Sequence, residues 1–199
     1  LARLGQVTMP APGGCKIGAR PVDFHLKGLA LLGAEVDLEG GVYRAKAKKL
    51  NGAEIYLDFP SAGATQHLMA TAVLAEGSTV IQNAAAEPEV IALGDFLNRM
   101  GARVHGAGTS TIEVEGVHEL ASVDTELCGD RIEAGTYLTA VGVAGGEIEL
   151  EGIRVDQLEM VVVKLREMGM RIDATEHGMR VHSEDRLRSV DVATLPFPG

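Results

Sequence analysis

Apolar residues recur at helical spacing in two clear stretches of this chain and alternate with polar ones in the short segments that follow. Val90, Ile91, Leu93, Phe96, Leu97 and Met100 share one helical face, as do Leu158, Val161, Val162, Leu165 and Met168. Both stretches end in one phrase, which also occurs a third time. Leu32-Gly33-Ala34-Glu35-Val36, Met100-Gly101-Ala102-Arg103-Val104 and Met168-Gly169-Met170-Arg171-Ile172 carry their glycines 68 residues apart. A fixed period of this kind marks repeated supersecondary units. The glycines are predicted to close their helices with left-handed C-terminal caps. At the other ends, Asp156 and Glu159 have capping-box spacing, and Pro88 between Glu87 and Glu89 suits a helix start.

After each glycine the alternation predicts a hairpin, for instance Arg103–His105 with Thr111–Val114 around Gly106-Ala107-Gly108. A third strand follows, as in Glu54–Asp58, and then a second kind of helix. Ser61–Ala75 and Ala134–Gly146 contain no Asp, Glu, Lys or Arg, so each is predicted to be a helix buried inside the protein. Each gives way to a strand, Ser78–Gln82 or Glu147–Leu150. The unit is therefore helix, three strands, buried helix, strand, which makes an α+β chain of α/β-type repeats. Ser189–Leu195 reads as the third strand of a last, incomplete unit, and the chain opens on Leu1 without an initiator methionine. A fragment of a longer repeat protein, lacking both ends, is expected.

Composition narrows the class. With 46% hydrophobic residues, four Phe, three Tyr and no Trp, the core must be built from small aliphatic side chains in one or two domains. No apolar run reaches the roughly 18–20 residues of a membrane span and no signal pattern opens the chain, so a soluble, cytoplasmic protein without a membrane partner is expected. A net charge of −10 argues against nucleic acid as a partner. Arg44 and Lys46 alternate with Tyr43 and Ala45 and read as the wet face of a strand, near Lys48 and Lys49. Of the two cysteines, Cys128 in Leu127-Cys128-Gly129 reads as a small packing residue.

Cys15 is different. Pro12-Gly13-Gly14-Cys15-Lys16-Ile17-Gly18-Ala19-Arg20-Pro21 sets a thiol between glycines, with two cations beside it. Glycine lets backbone N–H groups approach a ligand, Lys16 and Arg20 favour the thiolate, and the guanidinium fork suits phosphate or carboxylate. Residues 1–30 carry Arg3, Lys16, Arg20 and Lys27 against Asp23 alone, a local positive excess in an acidic chain. Two readings stand on composition: a reactive cysteine facing an anionic substrate, or a surface turn with an incidental thiol.

The loop, extended through Val22 and Asp23, resembles the cysteine loop of the UDP-N-acetylglucosamine 1-carboxyvinyltransferases, the enolpyruvyl transferases of early peptidoglycan synthesis. Ser61-Ala62-Gly63-Ala64-Thr65, Leu74-Ala75-Glu76-Gly77-Ser78-Thr79-Val80-Ile81, Asn83-Ala84-Ala85-Ala86-Glu87-Pro88-Glu89 and Asp130-Arg131-Ile132-Glu133-Ala134-Gly135-Thr136 continue the likeness along the whole chain. The resemblance implies an inside-out α/β barrel of repeated units, with buried helices and outer sheets. Residues 1–128 would be the later part of the cysteine-loop domain and residues 129–199 the beginning of a second, similar domain.

The same resemblance implies transfer of the enolpyruvyl group of phosphoenolpyruvate to the 3′-hydroxyl of UDP-N-acetylglucosamine, with no cofactor and no metal. Cys15 matches the family's proton donor, the thiol alkylated by fosfomycin, and Arg20 matches a residue on the substrate phosphate. Pro21, Val22, Asp23 and Phe24 match one segment holding the UDP-sugar; Ser61, Ala62 and Gly63 match another. Ser61 is also an ordinary N-cap residue, and His25, near the loop, is also an ordinary helix-face histidine. His67, in an uncharged helix, is expected to have a hydrogen-bond partner rather than a metal.

Phe24 replaces the family's usual leucine, Ala62 its usual valine, and Phe59-Pro60 stands where some members place a lysine contact. The general-base aspartate and further contacts would lie in the remainder of the parent chain, so these 199 residues are expected to be inactive alone. The shikimate-pathway enolpyruvyl transferase shares the architecture but lacks such a cysteine loop. A non-catalytic UDP-sugar-binding or regulatory relative is the reading from another class.

Overall fold

The computed structural model describes residues 1–11, 21–184 and 186–198, which fall into two compact units, Leu1–Thr125 and Glu126–Gly199. In the first unit the chain runs β1 (Gln6–Pro10), α1 (Asp23–Leu31), β2 (Glu35–Glu39), β3 (Val42–Lys46), β4 (Glu54–Tyr56), α2 (Ala62–Ala72), β5 (Ser78–Gln82), α3 (Pro88–Arg99), β6 (Arg103–His105) and β7 (Thr111–Glu115). One sheet has the order β1-β3-β2 and is antiparallel throughout; the other has the order β4-β5-β7-β6, with β4 parallel to β5.

The uncharged helix α2 lies in the middle of this unit. Ala64, Thr65, Leu68, Met69, Thr71 and Ala72 are buried, and the helix packs against α1, α3, β5 and β7. Both buried hydroxyls are used: Thr65 Oγ1 accepts from Ala85 N at 3.0 Å and Thr71 Oγ1 donates to His67 O at 2.8 Å, so neither is stranded there. Arg44 and Lys46 are exposed on β3 while Ala45 between them is buried, and they pair with Glu39 and Glu35.

The repeated phrase performs one task three times. Gly33, Gly101 and Gly169 have φ of 93°, 99° and 114°, in the region that favours glycine. At each, the glycine N–H donates three residues back, to Ala30, Asn98 or Arg166, and the next N–H donates five back, to Leu29, Leu97 or Leu165. These paired bonds are the Schellman motif, which satisfies the last carbonyls of a helix and turns the chain into the following hairpin.

The second unit contains α4 (Arg131–Ala144), β8 (Gly146–Glu151), a 3₁₀ turn at Val155–Leu158, α5 (Glu159–Met168), β9 (Arg171–Ala174) and β10 (Gly178–Ser183), with antiparallel sheet order β8-β10-β9. Leu138, Ile172, Met179 and Val181 are at its centre. Asp130 caps α4, its Oδ1 accepting from Ile132 N at 2.8 Å and Glu133 N at 3.1 Å.

Four local expectations need correction. Within its unit α4 buries only Ala134, Leu138 and Val141, while Tyr137 and Val143 are exposed, because one sheet and α5 can cover only one side of a helix. Asp156 does not form a capping box with Glu159: its carboxylate holds Arg154, and Gln157 Oε1 caps Arg154 N at 2.9 Å instead. Ser189–Leu195 forms no strand, because it makes no ladder with any described strand, whereas β4 is held by parallel pairing with β5. Cys128 is an exposed free thiol rather than a packing residue, because it lies in the irregular stretch before α4.

Candidate functional site

Cys15 and Arg20 lie outside the described residues, so the site is built from what flanks them. Pro21 is exposed, and Val22 is the N-cap of α1 with φ −121° and ψ 12°. Among the described residues no side chain caps the first N–H groups of this helix, and Asp23 supplies the acidic residue of its first turn. Phe24 turns inward and packs against the core of the first unit. Lys27, one turn on, donates to Asp58 Oδ2 at 3.0 Å, tying α1 to the segment that leads into α2.

The second segment behaves differently at its start. Ser61, with extended backbone, is the N-cap of α2, and its Oγ accepts from Ala64 N at 3.3 Å. Its hydroxyl is thus engaged as a cap. Ala62 packs on the same core as Phe24, and Gly63 is exposed on the first turn of the helix.

The fold brings the two segments together. A Cβ added to Gly63 would stand 3.8 Å from His25 Cε1 and 3.9 Å from its Nε2, so the His25 ring lies over the first turn of α2. On its other side, His25 Nδ1 is 3.0 Å from His67 Nδ1. Burial pushes the His25 pKa below its ordinary value against the opposing pull of Asp23. His67 is lowered too, by burial first, then by His25.

His67 therefore has its hydrogen-bond partner, and the partner is His25. Sequence reading treats these two as separate structural residues, since 42 positions separate them and no spacing rule links them. Among the described residues no group of three or more His, Cys, Asp or Glu side chains converges to hold a metal, and no helix is long and apolar enough to cross a membrane.

Comparison with known proteins gives this geometry its context. The family model for EPSP synthase (3-phosphoshikimate 1-carboxyvinyltransferase) matches residues 1–199. UDP-N-acetylglucosamine 1-carboxyvinyltransferase 1 of Caldanaerobacter subterraneus is 50% identical over 199 residues, covering 100% of this chain and 48% of the relative. UDP-N-acetylglucosamine 1-carboxyvinyltransferase of Geobacter metallireducens is 49% identical, again over 100% of this chain and 48% of the relative. The chain thus spans about half the length of these curated relatives. Among solved structures, the enolpyruvyl transferase NikO of Streptomyces tendae matches with a TM-score of 0.74 at 23% identity, over 91% of this chain and 44% of its own. EPSP synthase of Acinetobacter baumannii matches with a TM-score of 0.61 at 22% identity, over 91% and 43%. The fold is that of the enolpyruvyl transferases.

Proposed function

The chain belongs to the EPSP synthase (3-phosphoshikimate 1-carboxyvinyltransferase) family, and from that membership we propose that it is part of a longer enzyme transferring enolpyruvyl from phosphoenolpyruvate to UDP-N-acetylglucosamine. The choice of acceptor follows the relatives half identical to this chain and the Cys15 loop. The approach of the Val22–Phe24 and Ser61–Gly63 segments, bridged by His25, is the structural observation that carries the reading. Residues 1–128 then form the later part of the cysteine-loop domain and residues 129–199 begin the second. The reaction is the cytoplasmic entry into peptidoglycan synthesis.

The chemistry is addition followed by elimination. The 3′-hydroxyl oxygen attacks C2 of phosphoenolpyruvate while C3 takes a proton from Cys15, and the hydroxyl proton leaves to a base elsewhere in the longer protein. Loss of a C3 proton then expels inorganic phosphate and restores the double bond. A thiol can donate that proton only if its pKa stays moderate, since a strongly depressed pKa favours the thiolate instead. Arg20 stabilises the phosphate-bearing intermediate through its fork. The N–H groups opening α1, which no described side chain caps, suit the anionic nucleotide, and Ser61 aligns the start of α2.

The test uses the full-length enzyme. Phosphate release from phosphoenolpyruvate should require UDP-N-acetylglucosamine, and Cys15→Ala should lower it by about a hundredfold or more. Release that depends on 3-phosphoshikimate instead, or that is undiminished in Cys15→Ala, would overturn the reading.

A further inference from the structure

The two helix starts assigned to the UDP-sugar need something to hold them in register, and the side chains that meet between them are two imidazoles. His25 projects from the first turn of α1 and His67 from the second turn of α2, with ring centroids 5.1 Å apart and planes tilted by 35°. The Nδ1 atoms face each other at 3.0 Å, while the Cε1–Nε2 edge of His25 lies over Gly63. One ring thereby touches α2 at two successive turns.

An Nδ1···Nδ1 hydrogen bond needs one N–H and one lone pair. Two neutral rings satisfy it with opposite tautomers, and a ring carrying one extra proton satisfies it as a charge-assisted donor. Two imidazolium rings cannot, because both would present N–H across the same gap. The pair therefore accepts one proton and resists the second, as coupled sites do.

We infer that His25 and His67 are a positioning pair that clamps the Val22–Phe24 segment to the Ser61–Gly63 segment, so that affinity for the UDP-sugar falls when the pair takes its second proton. The inference rests on the proposed function for the identity of the ligand, but the pair itself is independent of it. Among the described groups, Asp23 is the carboxylate acting on His25; Lys27 is turned to Asp58, and α2 carries no charged residue beyond His67 itself. Burial lowers both rings below the ordinary histidine pKa, which puts the second protonation on the acid side of a free histidine.

Kinetics of the full-length enzyme decide the role. Below the second protonation, KM for UDP-N-acetylglucosamine should rise about tenfold per pH unit, with KM for phosphoenolpyruvate constant within about twofold. His67→Gln offers His25 a hydrogen-bonding amide that cannot titrate, and should abolish the acid-side rise. His67→Ala should raise the nucleotide-sugar KM severalfold at neutral pH. An acid-side rise that persists in His67→Gln, or a His67→Ala enzyme with unchanged KM, would overturn the role.

A ligand-free measurement guards against a variant that fails to fold and separates this inference from the one beneath it. By NMR, His67 should titrate at higher pH in His25→Gln than in the unmodified protein; identical titration would overturn the pair. Absence of turnover in the unmodified enzyme would instead overturn the proposed function, and the assigned ligand with it, while the NMR titration still judges the pair.

Discussion

Gly28 of α1 sits directly against Leu68 of α2: a Cβ built on Gly28 would fall 2.5 Å from Leu68 Cδ1 and inside contact distance of Cδ2. The backbone of α1 approaches α2 this closely only because no side chain intervenes, and Leu68 is fully buried. The same approach lets His25, three residues earlier, reach across to Gly63 and His67. Gly28→Val should therefore cost about 1–3 kcal/mol through overpacking. Urea unfolding reads that loss, and a rise in the nucleotide-sugar KM should accompany it as α1 is pushed away.

Asn98 closes the turn after α3 with both ends of its amide, Nδ2 donating to Val104 O at 2.8 Å and Oδ1 accepting from Val104 N at 2.7 Å. One repeat later Arg166 donates to Ile172 O from the corresponding position. Asn98→Ala leaves two backbone groups of a buried residue without these partners and should cost about 1–3 kcal/mol. Asn98→Asp keeps the acceptor and loses the donor, so its midpoint in urea should fall between the other two.

Ser61 has one visible duty, the cap on Ala64 N. Ser61→Ala should lower stability by about 1 kcal/mol, and Ser61→Asn, which can still cap, should restore most of it. If the hydroxyl also touches the UDP-sugar, the KM of Ser61→Asn stays raised while its melting temperature recovers. The two measurements separate capping from binding.

Fosfomycin should add to Cys15 and leave Cys128 unmodified, as read by peptide mass spectrometry of the full-length enzyme. Cys128 is exposed, so access alone would make it a target. Its neighbours in sequence, Glu126 and Asp130, are acidic, whereas Cys15 is beside Lys16 and near Arg20. Cations favour the reactive thiolate and carboxylates oppose it. Alkylation of Cys128 alone would contradict the role given to the loop.

The histidine pair also predicts a pH dependence of stability. Burial holds both folded-state pKa values below histidine's ordinary value, so just below that ordinary value the unfolded chain binds more protons than the folded one. Stability is therefore fully present above this window and falls as pH drops through it. The melting temperature should decline between about pH 7 and about pH 5, and less steeply in His25→Gln.

Much of the architecture was legible because it is local. Helix faces, hairpins and the capping glycines at 33, 101 and 169 depend on residues a few positions apart, and the structure has them as read. The uncharged pattern found α2 and α4 equally well, yet α2 packs between two helices, α1 and α3, as well as on β5 and β7, while α4 has one sheet, the short 3₁₀ turn and α5. Hydropathy states what a helix tolerates; burial depends on how many neighbours its unit supplies. Asp156 likewise had the right spacing for a cap, but Arg154 was nearer in charge and took its carboxylate.

By itself the sequence determined the repeat, the fold class and the presence of a thiol loop beside cations, since period, polarity and composition are properties of the chain. Only the tertiary structure decided that His25 and His67 are one group, and that Gly28 is small for steric reasons. Those facts depend on two helices crossing at close range, with contacts 42 positions apart along the chain. No local spacing rule encodes such a crossing; it emerges when the buried faces of α1 and α2 pack into one core.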